Sequence, residues 1–354
     1  DNYKNAAQFF KKALTFKEDY KTKLKLAKNY RSLKLSKKAI PIYEEILAKD
    51  SLNLVLKYQL GKIYLINRKP KEALKTFKYL IKNDSLNANY SYHLGLSYAL
   101  NGQRDPMINS FIDTFKKDTL HLKAIARLAK SFQKLRDVDS TQLFVDKGLA
   151  INKNDIDLNK LKINQLFKDK KYKETIPLLL NLDTIDKKDT YSMTLLGKAY
   201  YNLDSLEKAK KYFKKLSITD WEDFKANTYL GHIAFKEKDF NTARMNYFMA
   251  TFKGKEKRDE EYYGLASVFY ELKKPKQAMK AFEKAYLENS RNYRALYQLA
   301  KLSDDYYKEK KIAYKHYIRY IENFYDTDEG ISAFVRKRIR YIKKEYFLRG
   351  ESLR

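Results

Sequence analysis

The chain of 354 residues contains no cysteine, which excludes disulfides, thiolate metal sites and a thiol nucleophile. That absence is compatible with an exported protein without establishing one. Its four histidines, His93, His121, His232 and His316, have no His or Cys partner at ligand spacing, so no metal site is expected. The ten glycines form no phosphate-cradling loop. No apolar run approaches the roughly 18 to 20 residues of a membrane span. No low-complexity linker divides the chain. Because no nucleophile, base and orienting group can be named together, the carboxylates read as solvated faces or helix caps, and neither catalysis nor a cofactor is expected.

What the chain has in excess is positive charge and aromatic surface. Seventy-four Lys and Arg against 44 Asp and Glu give a formal charge of +30, and residues 1–100 alone carry 21 basic and 8 acidic side chains. Lysines coating solvent-facing helices would give this balance, as would attraction to an anionic partner. The 31 Tyr and 20 Phe are material for a core.

The segment "YHLGLSYALNG" (Tyr92–Gly102) has helical apolar spacing with Gly95 in its middle, where glycine costs about 1 kcal/mol relative to alanine. "YQLGKIYLINR", "TLLGKAYYNLD" and "TYLGHIAFKEK" place Gly61, Gly197 and Gly231 alike, at separations of 34 residues or multiples of it. Blocks of 34 run without insertion from Tyr20 to Lys257, resume one residue later at Asp259, and loosen from Tyr293 to about Thr327. The eighth residue is small (Ala27, Gly61, Gly95, Ala129, Gly197, Gly231, Ala266, Ala300), Ile163 excepted, and the twenty-fourth is usually large (Tyr43, Phe77, Phe111, Phe213, Tyr247, Phe282). All five prolines fall between the seventeenth and twenty-second positions, where a second helix would begin; Pro41 and Pro177 lie deepest. Asp50-Ser51, Asp84-Ser85, Asp118-Thr119 and Asn289-Ser290 read as ends of one helix and caps of the next.

This pattern resembles the tetratricopeptide repeat, whose 34-residue unit is two antiparallel helices with small residues at their crossing and large ones filling the gaps. The resemblance covers almost the whole chain and implies an all-α fold, a right-handed superhelix (α-solenoid) with a C-terminal capping helix. The opening glycine then marks a helix crossing. Residues 1–19 read as a partial repeat or N-terminal cap helix, 20–327 as about nine units, and 328–354 as the capping helix and tail. Ala6, Phe10 and Ala13 match a second helix whose first would lie upstream, so the N-terminus either arises by processing or cloning or is itself a cap.

In this family the first helices line a concave groove that holds peptides or partner helices. The resemblance therefore implies a non-enzymatic interaction scaffold, with the fifth, ninth and twelfth residues of each block facing a polypeptide. The expected contacts are Tyr58, Lys62, Tyr92, Lys130, Lys160, Asn164, Lys198, Tyr201, Phe235, Tyr263, Tyr270, Tyr297 and Lys301. Aromatics beside lysines suit an acidic segment with apolar anchors, although core duty would account for half of the aromatics equally well. The family's clamp for C-terminal carboxylates is incomplete: Lys160, Asn164 and Lys225 match it, but Leu195 replaces the middle Asn and Tyr229 the Arg.

The rival class is an anionic surface, RNA or acidic membrane. Against RNA stand the period of 34 and the lack of recurrent base-reading residues, which leave only nonspecific phosphate contact. Composition resembles Lys/Asn/Tyr-rich repeat proteins of bacterial envelopes, so a periplasmic or outer-membrane assembly is expected, with the cytoplasm as the alternative and membrane contact at most peripheral. In the tail, Ile331, Phe334, Val335, Ile339, Ile342 and Tyr346 make an apolar stripe, with Arg336, Lys337, Arg340, Lys343 and Lys344 on the other side. Such a stripe can cover the last repeat's apolar edge or lie on an anionic membrane.

Overall fold

The computed structural model describes residues 2–185, 189–220, 224–252 and 257–353, and among them all regular structure is helical. The chain gathers into two compact units, residues 1–165 and 166–354. The first holds α1 (Asn2–Phe16), α2 (Tyr20–Ser32), α3 (Ser36–Lys49), α4 (Leu54–Ile66), α5 (Pro70–Asn83), α6 (Ala88–Leu100), α7 (Arg104–Lys117), α8 (Leu122–Leu135) and α9 (Val138–Ile151). Helix α10 (Ile156–Lys168) contains the boundary. The second holds α11 (Tyr172–Ile185), α12 (Thr190–Asn202), α13 (Leu206–Thr219), α14 (Phe224–Lys236), α15 (Phe240–Phe252), α16 (Asp259–Glu271), α17 (Pro275–Glu288), α18 (Tyr293–Tyr306), α19 (Lys311–Phe324) and α20 (Glu329–Leu348).

Each block of 34 is a helix pair, and its turn has one recurring geometry. The fifteenth residue is left-handed in eight blocks: Lys34, Arg68, Gly102, Arg136, Lys170, Asp204, Lys238 and Lys273 all have φ between 54° and 73°. In the first block Lys34 N–H donates to Arg31 O at 3.0 Å and Leu35 N–H to Tyr30 O at 2.8 Å, and Arg68 and Lys69 repeat both bonds. This is a Schellman ending, which satisfies the last carbonyls of the first helix. Glycine is the residue suited to that conformation, yet only Gly102 supplies it. The other seven turns are held left-handed by the packing of the two helices.

Helix starts follow capping chemistry. Asn53 Oδ1 accepts from Leu56 N–H at 3.0 Å, His121 Nδ1 from Ala124 N–H at 3.1 Å, and Asn292 Oδ1 from Ala295 N–H at 3.0 Å. The expectation for the block ends is thus half corrected. Asp50, Asp84, Asp118 and Asn289 do end second helices, but the cap of the next helix stands three residues further on. Pro70 and Pro275 occupy first turns, while Pro41 and Pro177 sit inside α3 and α11.

The crossing reading of the glycines holds in atomic detail. A Cβ on Gly95 would lie 2.6 Å from the Phe111 ring, on Gly61 2.7 Å from Phe77, on Gly197 2.7 Å from Phe213, and on Gly231 2.8 Å from Tyr247. Each ring belongs to the second helix of the same pair and is buried. Gly264 meets Tyr247 from the next repeat, with 2.5 Å to the ring, so this tyrosine is held between α14 and α16.

The C-terminal helix closes the second unit. Val335, Ile339, Ile342 and Tyr346 are buried against Tyr317, Tyr320 and Phe324 of α19, and Phe334 remains partly exposed. Arg338 turns inward as well: its Nη2–H donates to Asp304 Oδ1 at 2.9 Å and its Nε–H to the other carboxylate oxygen. Burial opposes ionisation of Asp304, but Arg338, Lys310 and Tyr317 outweigh it and hold the carboxyl below its ordinary range.

Gly95→Leu should lower the unfolding free energy by about 1 to 3 kcal/mol, because the fully buried Phe111 ring has little room to yield; urea denaturation checks it, and an unchanged midpoint refutes the contact. Arg338→Ala should cost roughly 2 to 3 kcal/mol, somewhat under a fully buried pair because Arg338 keeps part of its surface in water. Deleting residues 331–354 should go further and cause aggregation.

Candidate functional site

First helices of successive repeats touch one another, α4 with α6 and α14 with α16, so their exposed faces adjoin. In the first unit a run of rings joins these helices, with Tyr90 and Tyr92 buried and Tyr58 and His93 half-buried. Tyr58 meets Tyr90 at 5.3 Å between centroids and His93 at 5.1 Å; Tyr92 meets His93 at 5.3 Å and His121 at 4.8 Å. Lys62 holds its ammonium 4.9 Å from the Tyr58 ring centroid. Burial, with repulsion from Arg31 and Lys123, pulls that ammonium below its ordinary range, so an anion arriving here would be favoured. His93 Nδ1–H donates to Asn89 O at 2.7 Å, and burial, with repulsion from Lys62, His121 and Lys123, brings the imidazole down to about 4.

Among the clefts of the described residues, one in the first unit lies between α8 and the second helix α7, and one in the second unit lies along α14, α16 and the start of α18. That of the first unit, about 690 Å³, has Arg104, Arg127, Lys130 and Lys134 on its walls and Met107, Phe111 and Leu161 beneath. Lys130 is paired with Asp157 at 2.8 Å, whereas Arg104, Arg127 and Lys134 have no ion pair among the described residues. That of the second unit, about 670 Å³, combines Phe235 and Tyr263 with Asp259 and Glu260 on one wall and Arg291 and Arg294 on another. Within it, His232 Nδ1 accepts from Tyr247 Oη–H at 2.7 Å, and Nε2 faces Glu260 at 3.2 Å. Beside it Glu261, 2% exposed, accepts from Thr228 Oγ1–H at 2.7 Å; burial raises its carboxyl and disfavours the charge.

Two tetratricopeptide-repeat family models match the sequence, one over residues 58–104 and the other over residues 190–216 and 262–292. The chain is a tetratricopeptide repeat protein. By fold it is similar to the C-terminal part of a TPR repeat-containing protein from Cytophaga hutchinsonii, with 14% identity, coverage of 68% of this chain and 98% of that one, and a TM-score of 0.54. Similarity extends to Pseudomonas aeruginosa pilF (17% identity, 62% and 98% coverage, TM-score 0.49) and to yeast Tom70 (11%, 98% and 93%, 0.47). No curated protein matches the chain. Tetratricopeptide repeats are in general protein–protein interaction scaffolds, and the chain has that general character.

The expected contacts of this repeat protein divide into distinct environments. Lys130, Phe235 and Tyr263 line the clefts. Tyr58 and Lys62 form the cation–ring pair described above. Tyr201 is half-buried between the Tyr229 ring at 5.4 Å and the Lys236 ammonium at 4.7 Å, and Lys198 lies over Tyr229 at 5.6 Å. Tyr270 and Lys301 are exposed, as is Asn164, one turn beyond the half-buried Lys160. Tyr297 packs against Phe334 of the capping helix at 6.0 Å. Tyr92 is a correction: only 8% exposed and 5.7 Å from Phe111, it belongs to the core, so Tyr92→Ala probes packing rather than binding. In the carboxylate clamp, Tyr229 at the Arg position is half-buried and stacks on Phe213 at 4.7 Å, so the position packs against the core.

Arg104, Arg127, Lys134, Arg291 and Arg294 were not anticipated. Lys123, Arg127, Lys130 and Lys134 recur at helical spacing along α8, and that stripe was the available signal.

Between pH 6.5 and 4 the unfolded chain binds a proton at His93 that the folded chain resists. Stability therefore falls as pH drops through this window. Urea midpoints across that range should decline, and His93→Phe should flatten the decline; an unaltered slope would remove His93 as its source.

Proposed function

We propose that this tetratricopeptide repeat protein is a non-catalytic scaffold that holds an acidic polypeptide segment on its first-helix faces, as a component of a bacterial envelope assembly. One observation carries the reading: four cations stand around an apolar-floored cleft of the first unit, three of them without an ion pair among the described residues. Carboxylates of a bound segment would meet Arg104, Arg127 and Lys134, while an apolar side chain would reach Met107 and Leu161. The Tyr58–Lys62 pair extends the same chemistry along α4. The envelope setting is supported by the Lys- and Tyr-rich composition, and, among the described residues, no helix is long and apolar enough to cross a membrane, so contact there would be peripheral.

A pull-down from native membranes with mass spectrometry would name the partner, and its acidic segments would then be titrated as peptides. Arg127→Glu/Lys134→Glu should weaken the peptide by about tenfold or more, roughly 1.4 kcal/mol, with an unchanged melting curve. Equal affinity for wild type and variant would reject this cleft. Tighter binding of poly-U RNA or phosphatidylglycerol vesicles than of any peptide would reject the polypeptide in favour of an anionic surface.

A further inference from the structure

Helix α15, "FNTARMNYFMATF", is apolar on more than one face. Ala243, Tyr247 and Ala250 point inward and are buried. On the outside, Met245, Phe248, Met249 and Phe252 recur at i, i+3, i+4 and i+7 and are 62%, 50%, 45% and 69% exposed. The 34-residue frame shows how unusual this is. The same four positions of α13 hold Lys211, Lys214, Lys215 and Ile218, and those of α17 hold Lys280, Glu283, Lys284 and Leu287. One second helix thus carries a Met/Phe stripe where the helices on either side carry mostly charge. A helix apolar on both faces ordinarily has both covered, and a continuous exposed apolar stripe marks an interaction surface.

The surface is also shaped. Between α15 and α16 a cleft of about 550 Å³ is lined by Met245 and Phe248 on one side and Leu265 and Phe269 on the other, with Arg244 at its edge. Such a cleft receives a protruding side chain, which an amphipathic helix offers and a lipid surface does not. Methionine and phenylalanine side by side form the adaptable apolar floor suited to that mode. At the equivalent positions of α13 and α17, Lys215 is paired with Asp183 at 3.2 Å, and Lys211, Lys214, Lys280 and Lys284 against the single carboxylate Glu283 make the borders basic.

From this arrangement we infer that the outer face of α15 is a second docking site, separate from the two clefts described above, and that it takes an amphipathic helical segment of a partner protein with an apolar face and acidic flanks. The stripe supplies the buried contact, and the flanking lysines select acidic over basic helices.

The test needs neither the natural partner nor the first-helix reading. A fluorescein-labelled helical peptide with leucine on one face and glutamate on its flanks is titrated with the full chain, beside the same peptide carrying lysine in place of glutamate. The acidic peptide should bind saturably and about tenfold more tightly than the basic one. Met245→Ser/Phe248→Ser should abolish this, while Arg127→Glu/Lys134→Glu should not affect it. The exposed position of both substituted residues should leave the circular-dichroism melting curve unchanged. Absence of binding, equal affinity for the two peptides, or binding that survives Met245→Ser/Phe248→Ser would overturn the assignment. It would equally be overturned if those substitutions converted a sedimenting dimer to monomer, or removed binding to phosphatidylglycerol vesicles, since the occupant would then be a second copy or a lipid surface.

Discussion

The contact on which four of the repeats depend is an aromatic ring of the second helix resting on the bare backbone of the first. Gly61, Gly95, Gly197 and Gly231 accept the loss of helix propensity because Phe77, Phe111, Phe213 and Tyr247 occupy the space their side chains would fill. Where the eighth residue is Ala27, Ala129 or Ala266 it is likewise fully buried. Close approach at this point brings the two helices of a pair into direct contact. It also explains why the short turn keeps one conformation whatever its sequence. Lysine, arginine and aspartate occupy a left-handed position because the helices they join have already been placed.

The docking surfaces proposed for this chain lie outside that core. First helices carry rings and lysines in the first unit, and carboxylates facing arginines in the second. Aromatic residues serve two ends at once: Tyr92 is buried against Phe111, whereas Tyr263 is half-buried, packing on Phe282 of a second helix while lining a cleft. Charge is equally divided in role. Asp304 and Arg338 tie the last helix to the repeat before it, while Arg127 and Lys134 line a cavity without an ion pair among the described residues. The net charge of +30 therefore describes neither role; placement does.

The sequence alone determined the repeat frame, the all-helical fold, the crossing glycines and the apolar stripe of the last helix. These depend on local periodicity and residue volume, both of which are written along the chain in fixed register. The caps stand two residues beyond Ser51, Ser85, Thr119 and Ser290, at Asn53, Asn87, His121 and Asn292, because each junction offers more than one polar residue and the point where the next helix departs selects among them. Left-handed turns at Arg68 or Lys273 carried no glycine to announce them. Tertiary structure alone decided which ring of a half-apolar helix turns inward, which lysine of α8 faces a cavity, that Arg338 leaves the basic face to meet Asp304, and that the outer stripe of α15 stays uncovered. Each of these depends on what the neighbouring repeat places opposite, a relation between residues about 34 positions apart that no single helical period contains.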